Sequence, residues 1–138
     1  MNLYVLDTDH VSLFQKNHLN VVRRINETDP LALSITTITV EEQLRGWFNE
    51  IRRSSGSRLV WAYSRMRAAL DYFHTIQLLD YDDAAHECYI QLREQKIRIG
   101  TQDLRIAAIV LSVNGILVTR KRRDFSQVPN LIITDWTL

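Results

Sequence analysis

Four carboxylates and one hydroxyl, Asp7, Glu42, Asp103, Asp124 and Thr119, stand where a parallel α/β sheet presents side chains to a ligand. Asp7 closes the apolar run Leu3-Tyr4-Val5-Leu6, a stretch apolar on both faces that reads as a strand buried on both sides. The carboxyl ends of such strands are where open α/β sheets bind their ligands. Glu42 and Asp103 fall in the first turns of predicted helices, Thr119 ends a predicted strand over 116–119, and Asp124 follows five residues later. In one parallel sheet these positions share an edge, so residues distant in sequence converge. Singly, each has a simpler reading. Glu42 can complete a capping box with Thr39, Asp103 can favour a helix dipole, Asp124 can form an Asx turn and Asp9 can cap a helix. Asp7 resists such a reading, because a carboxylate on the end of a buried strand is costly unless something pairs with it.

The chemistry follows from the donor types. The four histidines (His10, His18, His74, His86) lack zinc-ligand spacing, and Cys88 is alone. Three or four carboxylates suit hard, oxygen-ligated cations, Mg²⁺ with Mn²⁺ as a substitute. Mg²⁺ meets substrate phosphates, which points to phosphodiester or phosphoryl chemistry.

The elements that must position these groups are legible from periodicity and punctuation. Asp9 is expected to cap a short helix through Val11, Leu13 and Phe14, ended by Asn17 or His18, with a second helical piece over 19–25 and a turn at Asp29-Pro30. A strand is predicted over 31–36. Thr39-Val40-Glu41-Glu42 reads as a capping box opening a helix whose Leu44, Trp47, Phe48 and Ile51 share one apolar face. Ser54-Ser55-Gly56-Ser57 reads as a helix–helix loop before a helix over 59–73 with Trp61, Met66, Ala69, Leu70 and Phe73 inward. Next come a strand over 75–79, a helix over 84–95 capped by Asp82, and a connector at 97–100. A helix over 102–113, capped by Thr101 and apolar nearly all round, must be buried. Asn114-Gly115 ends it, strand 116–119 follows, and Val128-Pro129-Asn130 turns the chain into a last strand over 131–134. Alternating strands and helices imply right-handed crossovers and a parallel sheet of about five strands with helices on both faces, a three-layer α/β/α domain over 1–138.

Totals narrow the function classes. A net charge of +1 gives no global field for nucleic acid, so any basic footprint is local, as in Arg120-Lys121-Arg122-Arg123 beside the proposed site. One cysteine rules out an internal disulfide framework and fits a reducing compartment. No secretory leader is expected at the N-terminus, and the longest apolar run, 106–111, is far short of a membrane span. A cytoplasmic setting is expected. Trp47, Phe48, Trp61 and Tyr63 are expected mostly in the core; any that are exposed would form an apolar groove for a partner.

Taken together, Leu6-Asp7-Thr8, Glu42 within Val40-Glu41-Glu42-Gln43-Leu44-Arg45-Gly46, Gly100-Thr101-Gln102-Asp103-Leu104-Arg105-Ile106-Ala107-Ala108, and Thr119 with Asp124-Phe125 resemble PIN-domain endoribonucleases, most closely VapC-type toxins of toxin–antitoxin pairs. The resemblance spans essentially the whole chain through the order and spacing of its motifs. It implies Mg²⁺-dependent hydrolysis of single-stranded RNA by metal-activated water. Asp7, Glu42, Asp103 and Asp124 would hold the metal, Thr119 would orient water, metal or phosphate, and the basic run Arg120, Lys121, Arg122 and Arg123 would contact RNA. It further implies a homodimer, a cognate antitoxin and no membrane association. One departure stands out: Lys121 occupies the position where the family usually carries Asn. An ammonium aimed at the acids would compete with metal, which leaves a silenced RNA- or partner-binding domain as an alternative. A second alternative is a haloacid-dehalogenase-type phosphatase, in which Asp7 would be the nucleophile and Asp9 the general acid.

Overall fold

The computed structural model describes residues 2–138. Its elements are β1 (Tyr4–Leu6), α1 (Thr8–Gln15), α2 (Leu19–Asn26), β2 (Leu33–Thr36), α3 (Thr37–Arg53), α4 (Gly56–Phe73), β3 (Gln77–Leu79), α5 (Asp83–Glu94), α6 (Thr101–Ser112), β4 (Ile116–Val118), α7 (Arg122–Phe125) and β5 (Ile132–Thr134). All five strands are parallel, in the order β3-β2-β1-β4-β5. β1 is therefore central, as its two-faced apolar pattern predicted. From β1 the chain builds outward through β2 and β3, then returns to the other side of β1 as β4 and β5. The strand order reverses between β1 and β4, and the crevice at such a reversal is where open sheets hold ligands. Asp7 opens directly onto it.

Because successive strand residues face opposite ways, β1 and β4 each feed two cores. Val5 and Leu117 pack with α5 and α6 on one face, while Leu6 and Val118 pack with Leu33, Ile35, Val11, Ala69, Phe73 and Trp136 on the other. In α6 the residues Leu104, Ile106, Ala107, Ala108, Ile109 and Val110 are all buried, which explains why that helix is apolar nearly all round. Each large aliphatic side chain buried here contributes about 1.5–3 kcal/mol.

Several boundaries differ from the sequence expectation. The serine-rich break shrinks to Ser54 and Ser55, because Gly56, at φ +58°, turns the chain and is already the first residue of α4. Trp61 faces outward and Ala62 takes the inner position. His18 begins α2 as its cap rather than ending α1. Asp82 caps α5 as expected, accepting from Ala85 N at 2.9 Å.

Tyr72 on α4 lies against Phe14, and burial pushes its phenol up to about 12. A raised native value means the neutral phenol stabilises the fold fully below the ordinary value of about 10, and that contribution is lost as pH rises through about 12. Alkaline titration followed by tyrosinate absorbance should therefore show a late phase in the native protein. Tyr72→Phe should remove that phase and flatten the loss of stability over the same window.

Candidate active site

Two strand-to-helix junctions at the carboxyl edge, β1 to α1 and β2 to α3, have no loops. Asp7 leaves β1 and at once caps α1: Oδ1 accepts from His10 N at 2.7 Å and from His10 Nδ1 at 3.1 Å. This corrects the sequence reading, which gave the cap to Asp9. Asp9 lies within the first turn and is gripped by Arg120 through Nε at 2.7 Å and Nη2 at 3.1 Å. That pairing raises the already high pKa of the guanidinium further, and it leaves Asp9 poorly placed as the free general acid of a phosphatase. Asp7 itself is 3% exposed, and its second oxygen, Oδ2, has no hydrogen-bond partner. A buried carboxylate oxygen without a partner is expensive, and such orphans call for an explanation such as an ion.

His10 is a functional residue that the sequence reading missed. It is fully buried, and its Nε2 accepts from the Trp136 backbone N–H at 3.3 Å. With Nε2 accepting, the hydrogen-bond network assigns the ring proton to Nδ1, where it is donated to Asp7. The imidazole thus clamps the central carboxylate to the C-terminal segment, with Asp135 Oδ1 a further 3.8 Å from Nε2. Asp7, Asp9 and His10 offer atoms within 4.8 Å of one another, but both ring nitrogens are committed, so the imidazole supports Asp7 rather than ligating beside it. The only sequence signal was the i, i+3 spacing of an acid and a histidine across a helix start.

Glu42 is placed by a polar seam between α1 and α3. The expected capping box is displaced: Thr36, the last residue of β2, caps α3 by accepting from Thr39 N at 3.2 Å. Thr39 and Glu42 therefore both lie inside the helix. Thr8 Oγ1 donates to Glu42 Oε1 at 2.6 Å and lies 3.0 Å from Thr39 Oγ1. Further along, Gln15 and Gln43 exchange amide hydrogen bonds at 3.0 Å. Thr8, Ser12 and Gln15 at helical spacing thus face Thr39 and Gln43, and this fixes Glu42 against the start of α1.

Asp103 occupies the first turn of α6, which is capped by Gly100 with Thr101 already helical, correcting the expected Thr101 cap. Its Oδ2 accepts from Lys121 Nζ at 3.3 Å. Burial pushes the Lys121 ammonium down, but the fields of Asp103, Asp7 and Glu42 outweigh it and hold its pKa above the ordinary lysine value. Lys121 therefore points into the acidic cluster. Thr119, fully buried, accepts the Lys121 backbone N–H on its hydroxyl at 3.0 Å and so sets the turn that aims this side chain. Asp124 is half-buried in the first turn of α7, outside the contacts that tie Glu42 to Thr8 and Asp103 to Lys121. Of the basic run, Arg120 and Lys121 turn inward onto acids, while Arg122 and Arg123 are exposed.

From Thr8 and Glu42 a groove of about 860 Å³ runs between α1, α3 and α4, past Trp47, Trp61 and Tyr72 to Arg58 and Arg65. The aromatics expected in the core divide. Trp47 is half-buried with Trp61 edge-on against it at 5.6 Å, whereas Trp61, Phe48 and Tyr63 are exposed. Arg58 stacks on Trp61 at 4.1 Å and binds Glu50, lowering the Glu50 pKa. Among the described residues no helix is long and apolar enough to cross a membrane.

The acid set acting on Lys121, Asp7 with Glu42 and Asp103, is all oxygen and anionic and includes a buried oxygen that nothing in the protein satisfies, although among the described residues only Asp7, Asp9 and His10 bring ligand atoms within 4.8 Å of one another. It fits a hard divalent cation.

No family model matches the chain. It is 28% identical over 137 residues to Ribonuclease VapC1 of Haemophilus influenzae, covering 98% of each chain. Among solved structures, DNA-bound VapBC from Salmonella typhimurium superposes with a TM-score of 0.81 at 27% identity, over 99% of each chain. VapBC-1 from nontypeable Haemophilus influenzae gives 0.77 at 25% identity, again over 99% of each. The resemblance to VapC-type PIN-domain proteins thus holds along the whole chain, in sequence and in fold.

Proposed function

We propose that this chain is the ribonuclease toxin of a VapBC-type toxin–antitoxin pair, and that it hydrolyses single-stranded RNA with Mg²⁺ or Mn²⁺ held by Asp7, Glu42, Asp103 and Asp124. The observation that carries the reading is the unpartnered, buried Oδ2 of Asp7 at the crevice where the strand order reverses. A relative called a ribonuclease, matched from end to end, supports RNA as the substrate. Neighbours solved as VapBC complexes support an antitoxin partner.

Within this reading each residue has a physical task. Asp7 is immobilised by the α1 cap and by His10, so its free oxygen is held ready without reorganisation. Thr8 fixes the Glu42 rotamer. A bound divalent cation would supply a water of lowered pKa and neutralise charge growing on the phosphoryl group. Arg122 and Arg123, free at the rim, contact RNA phosphates, which gives affinity with little sequence information. Exposed Trp61, Tyr63, Phe48 and Val60 on the α3–α4 hairpin offer apolar surface to the antitoxin or to a second copy in a homodimer.

Purified protein incubated with single-stranded RNA should cleave it in Mg²⁺ or Mn²⁺ and lose that activity with EDTA. Cleavage that survives EDTA would reject the metal reading. The Lys121–Asp103 ion pair favours one second reading, a silenced site; cleavage by Lys121→Asn but not by the native chain would establish it.

A further inference from the structure

We propose that Lys121 is an exchangeable counter-ion which holds the acidic site in a metal-poor state until an RNA phosphate draws it away. This inference rests on the metal-dependent ribonuclease reading. Its ground is a juxtaposition: an ammonium 3.3 Å from Asp103 and within the fields of Asp7 and Glu42, beside an Asp7 oxygen that has no partner.

Three features make this side chain an exchangeable ion and not a permanent one. Its backbone is pinned by Thr119, so the helix start stays fixed while the stem is free to swing. Its pairing is weakly held: the Lys121 side chain is 45% exposed, and a single half-exposed contact of this kind contributes little to stability. And the site remains anionic around it, because one ammonium faces three carboxylates, with no contact satisfying Asp7 Oδ2. A divalent cation entering the site therefore meets a like charge. A phosphodiester arriving at the same place offers the ammonium another anion. Arg120 is unsuited to the role, since Asp9 already holds it in a bidentate grip.

Metal and RNA then help one another beyond their direct attraction, and by linkage each raises the affinity of the other by the same factor. The signature is a metal affinity that depends on Lys121 only when RNA is absent. Mn²⁺ binding is measured by calorimetry on the native chain, Lys121→Met and Lys121→Arg. Each is titrated with and without a hydrolysis-resistant single-stranded 2′-O-methyl oligonucleotide, whose integrity is checked afterwards. Without oligonucleotide, Lys121→Met should bind Mn²⁺ about tenfold more tightly than the native chain, within the usual range of such couplings. Lys121→Arg, which keeps a cation, should bind as weakly as the native chain. With oligonucleotide bound, the gap between native and Lys121→Met should close. Equal affinities without oligonucleotide would overturn the proposal, as would a gap that persists with oligonucleotide bound. If such results accompany metal-dependent RNA cleavage, the ribonuclease reading survives and only the counter-ion role falls. If no variant binds Mn²⁺ and none cleaves RNA, both fall together.

Discussion

Asp7→Asn should give a folded protein that no longer cleaves RNA, whereas Asp7→Ala should be both inactive and less stable. The two oxygens of Asp7 have separate tasks. Oδ1 caps α1 and receives the His10 ring, and Asn retains an oxygen for both bonds. Asn and Asp are equivalent N-caps, so Asp7→Asn should match the native stability to within about 0.5 kcal/mol. Oδ2 is the orphan, and replacing it with an amide removes the anionic donor that a metal needs. Activity should fall by at least about 10²–10³-fold, the usual cost of deleting one electrostatic stabiliser from a reaction. Asp7→Ala also loses the cap and strands two donors of His10, costing about 1–2 kcal/mol. Paired cleavage assays and urea melts check this. An active Asp7→Asn protein would remove the central carboxylate from the mechanism.

His10→Ala should be the most destabilising single change at the site. The ring is fully buried and joins Asp7 to the Trp136 backbone across the structure. Truncation leaves a cavity and two buried groups that have lost a partner, for a combined cost of about 2–4 kcal/mol. The C-terminal segment should loosen with it. Trp136, 1% exposed and packed on Tyr4 at a centroid distance of 5.2 Å, is the reporter: its fluorescence should shift toward that of a wetter indole, and amide exchange at the C-terminus should speed up. A variant as stable as the native chain would show that the clamp is dispensable.

Much of the architecture was legible in the sequence because it is written in local periodicity. The double-sided apolar run before Asp7 gave a central parallel strand, and the unbroken apolar composition of α6 gave a buried helix. Helix starts were less legible where two hydroxyl or acidic residues compete for one cap. Thr36 beat Thr39, Asp7 beat Asp9, and Gly100 preceded Thr101. In the first two cases a strand end doubles as a cap, so the helix begins earlier than a loop-based reading allows. The outward Trp61 was missed because an aromatic at helical spacing looks the same whether it faces a core or a groove.

The sequence by itself determined the fold and the places of Asp7 at a strand end and Asp103 in a first helical turn, since these follow from residues within a few positions of one another, whereas Glu42 lies deeper in α3 than the expected first turn. Only the tertiary structure decided how those acids are held. Lys121 meets Asp103 across 18 residues, Thr8 meets Glu42 across 34, and His10 meets Trp136 across 126. No local pattern encodes such contacts, because they exist only once β1 lies between β2 and β4 and the segments after these strands meet at one edge of the sheet.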